Sequence, residues 1–365
     1  MAPTPSSTRT RRAYIDWLRG VAVVIMIHAH AIDAWTRPAD KSLPLYEGVL
    51  RVNGMGAPLF LFLAGVAVAL AGTAGVRRHG DVARASWAVQ RRGWEIFALA
   101  FLFRVQAWAL SPGATLYGIL KVDILNVMGP TIALAAWLWG RAARDQVRLL
   151  FFVVATLLVV TATPWVRHSP WIAGWPAPLA LYFQPAPGRF AFFPWSGLLL
   201  AGGAAGVILC RATTPDAESR VVGWVTAGGA LLFALSIVAA DFPPLFGPTE
   251  YWTTSASFFA ARVGLMTVAL GVAFVWVAHR QPRLESSPLL QFGHTSLFVY
   301  WIHVELAYGV LASPLRGRLP LPAAWVAFLV FTWLMLQASR WKDRLAARYE
   351  ARRAASTGSR TPGHV

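Results

Sequence analysis

The sequence predicts an all-α polytopic membrane protein of about ten transmembrane helices, with both termini cytoplasmic. The first observation is composition: of 365 residues, 56% are hydrophobic and only 13% charged, where ordinary soluble domains are roughly one-quarter charged. A mean hydropathy of +0.51 agrees. The second is a series of apolar stretches, each long enough to cross about 30 Å of hydrocarbon, which takes roughly 20 helical residues. The third is the alternation of basic and base-poor connections between those stretches, the sign of cytoplasmic and external loops.

In chain order the spans fall at about 14–35, 49–72, 94–111, 121–140, 147–164, 189–210, 221–240, 256–278, 293–312 and 321–338. They divide the chain into a basic tail (1–13), a membrane domain (14–338) and a second basic tail (339–365). An even number of spans returns the chain to its starting side. That side collects Arg9, Arg11 and Arg12, then Arg77, Arg78, Arg84, Arg91 and Arg92, then Arg141, Arg144 and Arg148, and finally the tail from Arg340. With Arg211, Arg220, Arg280 and Arg283 it holds about 22 bases against about 8 opposite, which makes it cytoplasmic. The same bias accounts for the formal charge of +17, so the charge is no argument for nucleic acid. The lone cysteine, Cys210, excludes a disulfide within the chain. Ala29-His30-Ala31 imitates a signal-peptidase site, but Asp16 and Arg19 interrupt the apolar run before it.

Gly65 and Ala69 in the second span, and Gly202 and Gly206 in the sixth, recur at spacings of four. Small residues so placed let helix backbones approach closely in lipid. The stretch 165–188, rich in Pro and Trp, reads either as an interfacial aromatic anchor or as a lid. The basic tail suits contact with anionic lipid.

Ionisable groups inside a span cost several kcal/mol unless they face a partner or a water-filled cavity, so each is a functional candidate. In "DWLRGVAVVIMIHAHAID" (16–33) the helical wheel separates them. Taking Asp16 as zero, Arg19 lies at about 300°, His30 at about 320° and Asp33 at about 260°, whereas His28 lies at about 120°. One stripe joins Asp16, Arg19, His30 and Asp33, and the opposite placement of His28 disfavours a metal site. His30 sits roughly 24 Å along the helix from Tyr14, toward the external surface. Asp33, one turn on, is placed to orient its ring as an acid does for a general base. In the ninth span Ser296, Tyr300 and His303 share a face, and Glu305 is turned about 140° from Tyr300. His303 either completes the site or bonds a neighbour. Arg104, Asp123, Asn126, Trp195 and Arg262 are the remaining candidates for substrate binding. The two arginines either bind an anionic group or pair with Asp123, Asp33 or Glu305.

At "RAYIDWLRGVAVVIMIHAHAIDAW" (12–35) the chain resembles the transmembrane acyltransferase superfamily, in particular bacterial relatives of heparan-alpha-glucosaminide N-acetyltransferase. "GAPLFLFLAGVAVAL" (56–70), "VDILNVMGP" (122–130), "FPWSGLLLAGG" (193–203) and "FGHTSLFVYWIHVEL" (292–306) carry the same resemblance. Arg19, ten residues and then His30 also resemble the motif of bacterial O-acyltransferases of surface polysaccharides. The resemblance implies a bacterial cell-membrane enzyme that transfers an acyl group, usually acetyl, from cytoplasmic acyl-CoA to a glycan or glycolipid acceptor outside, with no metal. It makes His30 and Arg19 the motif residues. The lysosomal enzyme has its histidine after the first helix, where this chain has Arg37, Asp40 and Lys41. By the same resemblance the arginines from Arg77 to Arg92 would rim the entrance for acyl-CoA phosphates, with Arg19 at its mouth. The competing readings are a proton-coupled secondary transporter of a small solute, for which paired inverted repeats are not visible, and a non-catalytic membrane scaffold.

Overall fold

A computed structural model describes residues 12–110, 115–186, 188–244, 246–280 and 287–358, with side chains to residue 353. The helices are α1 (Ala13–Trp35), α2 (Pro44–Asn53), α3 (Gly56–His79), α4 (Val82–Leu110), α5 (Ile124–Gly140), α6 (Asp145–Arg167), α7 (Pro170–Ala173) and α8 (Ala177–Ala180). They continue with α9 (Phe192–Cys210), α10 (Pro215–Ala239), α11 (Ala256–Arg280), α12 (Pro288–His294), α13 (Ser296–Tyr308) and α14 (Leu321–Gly358). The described residues contain no β-strand. Nine helical segments among them are long and apolar enough to cross a membrane, and the protein is an all-helical polytopic membrane protein.

The predicted span at 49–72 is interrupted by a turn at Gly54 and Met55, between α2 and α3, and the predicted span at 293–312 is not among the nine. It is cut in two at Thr295, whose φ of −106° and ψ of 17° leave the helical region. The Thr295 hydroxyl donates to the Gln291 carbonyl at 2.8 Å, the same oxygen that accepts its backbone N–H; such back-bonding diverts the helical ladder. Two further boundaries move. α4 begins well before the expected 94, because Arg84, Arg91 and Arg92 stay helical on an exposed face. α14 runs unbroken past 338 into the basic tail.

Contact density separates two compact units: Met1–Leu18 with Gly54–Gln281, and Arg19–Asn53 with Pro282–Val365. In the larger unit α3 packs on α9, α4 on α5, α10 on α11 and α6 on α9. The α3–α9 contact uses the predicted small residues. A methyl at Gly65 would overlap the Leu199 carbonyl, and one at Gly202 would overlap that of Phe62. Burial varies widely among the long apolar helices, with only 17% of the α10 segment buried against 72% for the segment containing α5. Trp165, near the end of α6, and Trp171, in the short α7, stand 70% and 72% exposed.

In the smaller unit the backbone of Thr36 bridges to Leu319, and Ile32, Tyr46, Val49, Leu321 and Ala324 form a local core. The Trp35 indole N–H donates to the Ala307 carbonyl at 3.1 Å. α12 and α13 both pack on α14, and α1 meets α12 where Gly20 leaves no room beside Leu289.

Candidate active site

Because α1 is one uninterrupted helix from Ala13 to Trp35, the angular order expected for its polar residues holds. Asp16 is buried in the larger unit, and Arg19, half-buried, begins the smaller one. Farther along, half-buried His30 meets His303 from α13. His30 Nδ1 and His303 Nε2 lie 2.9 Å apart, and the rings stack at 5.1 Å between centroids with 16° between planes.

The proton positions follow from the next bond in the chain. His303 Nδ1 is 2.7 Å from the Val299 carbonyl oxygen, which can only accept. His303 therefore donates through Nδ1, and as a neutral imidazole accepts through Nε2. His30 must then donate through its own Nδ1, which in the neutral ring leaves the lone pair on Nε2. That is the protonation pattern a general base or nucleophile needs. His303 is fully buried, so the arrangement is held by packing as well as by hydrogen bonds.

Asp33 differs from its expected contact. Its carboxylate accepts from the Tyr308 hydroxyl at 2.8 Å and faces the Lys41 ammonium at 3.3 Å. The Tyr308 ring in turn stands edge-on to His30, 5.6 Å between centroids. The side chain hydrogen-bonded to His30 Nδ1 is thus His303, and Asp33 approaches His30 by way of Tyr308. The reason is position: Asp33 lies near the exposed end of α1, where a loop lysine and the end of α13 reach it. Tyr300 is buried and packs its ring 5.9 Å from that of His303; Glu305 is half-buried one turn before Gly309. His28 occupies the other face, donating through Nδ1 to Asn53 Oδ1 at 2.6 Å between the rings of Trp325 and Phe328.

The remaining candidates belong to the larger unit. Arg104 pairs with Asp123 at 2.9 Å, one of the alternatives open to it, while its Nε is buried without a hydrogen-bond partner. Asp123 is also the N-cap of α5, in a capping box with Asn126, and the Asn126 amide donates to the Tyr182 hydroxyl at 3.2 Å. This network starts α5 and ties down the loop before α9; burial pushes the Tyr182 phenol up, and the Asn126 contact opposes it. Arg262 makes no hydrogen bond or ion pair among the described residues and lies over the rings of Phe258 and Trp195, at 4.0 and 5.5 Å. Of the arginines between Arg77 and Arg92, Arg91 and Arg92 pair with Glu95.

Sequence reasoning missed Tyr308 and Lys41. Neither is in phase with the polar stripe of its neighbouring helix, and a loop residue has no periodicity to betray it.

Among curated proteins the chain has no match. The family model described as heparan-alpha-glucosaminide N-acetyltransferase, catalytic, matches residues 11–237, which takes in α1 with Arg19, His30 and Asp33 and ends before α13. The match covers more than half of the sequence, and the chain belongs to the heparan-alpha-glucosaminide N-acetyltransferase catalytic family of membrane acetyltransferases.

Proposed function

We propose that the protein moves an acyl group, acetyl by analogy with its family, from cytoplasmic acyl-CoA to a sugar amine or hydroxyl on the external side of a bacterial cell membrane, with both termini cytoplasmic. The observation that carries this reading is the His30–His303 hydrogen bond, which directs the lone pair of neutral His30 to Nε2. In the reaction, Nε2 takes the proton of the acceptor O–H or N–H as the acceptor atom bonds to the thioester carbonyl carbon. The tetrahedral intermediate then expels the coenzyme A thiolate, which recovers the proton from His30. Transfer through an acyl-histidine begins instead with Nε2 bonding to the same carbon as the carbon–sulfur bond breaks and coenzyme A thiolate leaves; the acceptor then attacks the acyl carbon, its bond to Nε2 breaks, and the acceptor's proton passes to the thiolate. Arg19 is assigned to the donor, where a guanidinium suits phosphate. Asp33 and Tyr308 hold the external end of α1 beside α13, and Tyr300 and Glu305 belong to the same wall.

The test is release of coenzyme A thiol by the purified full chain in detergent, given acetyl-CoA and an amino-sugar acceptor. Transfer by the native protein and its loss in His30→Ala, with unchanged elution and thermal unfolding, is the expected result. A folded His30→Ala variant that turns over normally overturns the assignment.

A further inference from the structure

Two cavities lie side by side at one end of α6, α9 and α11 in the larger unit, and Thr254 contributes to the walls of both. They differ in character. One, of about 500 Å³, is lined by Arg167, His168, Arg189 and Arg262, with Glu250 as its acid. The other, of about 650 Å³, is lined by apolar groups such as Val160, Pro164, Phe242 and Phe246. Each is within the size range of small-ligand sites, roughly 300–1,000 Å³.

The basic cavity holds more positive charge than the fold uses. Arg167, Arg189 and Arg262 make no ion pair within 4 Å among the described residues; the acid of this lining, Glu250, accepts from the Thr253 hydroxyl at 2.9 Å and acts electrostatically on Arg167, which leaves three guanidiniums to one carboxylate. The Nε atoms of both Arg167 and Arg262 are buried without a hydrogen-bond partner. A buried guanidinium donor left unpaired costs free energy, and two in one cavity share a remedy: an anion from outside. The Arg262 guanidinium carbon lies 4.0 and 5.5 Å from the ring centres of Phe258 and Trp195, cation–π contacts that restrict a planar fork able to bind two oxygens of one ligand. These arginines also run against the charge bias, since the base-poor loops belong to this end of the helices.

We propose that these paired cavities form a binding site for an amphiphile with a phosphate-type head on an apolar chain. Arg167 and Arg262 take the phosphate oxygens, Arg189 and His168 cover the head from the solvent side, and the chain enters the apolar cavity past Thr254. A bilayer glycerophospholipid and a prenyl-phosphate carrier share this chemistry. The proposal concerns binding alone, so its failure leaves the acyl-transfer reading untouched.

The experiment measures binding to the full chain in non-ionic detergent by native mass spectrometry and by thermal shift. The probes are short-chain phosphatidic acid, farnesyl phosphate, farnesol and inorganic phosphate. At least one phosphate amphiphile binds about tenfold more tightly than farnesol or inorganic phosphate, and a preference between the two identifies the source as phospholipid or prenyl carrier. Arg167→Gln with Arg262→Gln removes that advantage and leaves farnesol binding as it was. Ala240→Trp, filling the apolar cavity, weakens the amphiphiles and not inorganic phosphate, which keeps the test decisive should the double variant misfold. Equal binding of farnesol and farnesyl phosphate, inorganic phosphate matching the amphiphiles, or a folded double variant with native affinity overturns the proposal.

Discussion

The Nδ1–H of His30 donates to Nε2 of His303 across 2.9 Å, joining two histidines 273 residues apart in the chain. Each ring fixes the other's function. The Val299 carbonyl at 2.7 Å sets the tautomer of His303, and His303 sets that of His30, so a backbone oxygen of α13 determines which nitrogen of His30 is basic.

His303 is a positioning residue. His303→Leu removes the acceptor, lets the His30 ring reorient and is expected to lower kcat by about 10²-fold, within the usual contribution of a general base. KM for acetyl-CoA stays close to native. His303→Gln, whose Oε1 can take the place of Nε2, recovers most of the rate. Equal loss in the two variants, or a change in KM alone, assigns His303 to packing instead.

Asp123 is expected to matter for stability. Asp123→Ala removes the cap of α5 and strands Arg104, whose side chain is only 20% exposed. The loss is about 3 kcal/mol, at the lower end for breaking a buried pair. Thermal unfolding in detergent reads it, and Asp123→Asn, which can still cap the helix, loses less.

Gly202 tests the α3–α9 contact. The added methyl of Gly202→Ala meets the Phe62 backbone, which cannot rotate away. Overpacking of this kind costs typically about 1–3 kcal/mol. The same change at Gly228, which has open space beside it, is near neutral, so comparison of the two unfolding temperatures isolates the packing effect.

Asp40 predicts an acid limb to stability. The Leu321 backbone N–H at 2.8 Å and then the Arg37 guanidinium, also at 2.8 Å, hold its carboxyl below the usual carboxylate range. A carboxyl whose pKa is lower folded than unfolded adds stability above the unfolded value, about 3.9, and that contribution is lost as pH falls through the folded value. Native protein therefore loses stability on acidification below the ordinary carboxylate range, and Asp40→Asn flattens that part of the profile. A variant with the native acid slope places the titration elsewhere.

Hydropathy alone determined that the chain crosses a membrane as helices, because a backbone in hydrocarbon must satisfy its own N–H and C=O groups within each span. A fixed turn of about 100° per residue likewise determined that His30 shares a face with Arg19 and Asp33 and that His28 does not. Those are local properties, and they were legible one segment at a time. Only the tertiary structure decided that His303 rather than Asp33 bonds His30, that Arg104 pairs with Asp123, and that Tyr308 and Lys41 take the Asp33 carboxylate. The break at Thr295 was hidden by an apolar average that is indifferent to where a side-chain hydroxyl turns. Arginines from three separate segments share a cavity with two buried donors unmet, since proximity across loops depends on how helices pack and leaves no period in the sequence.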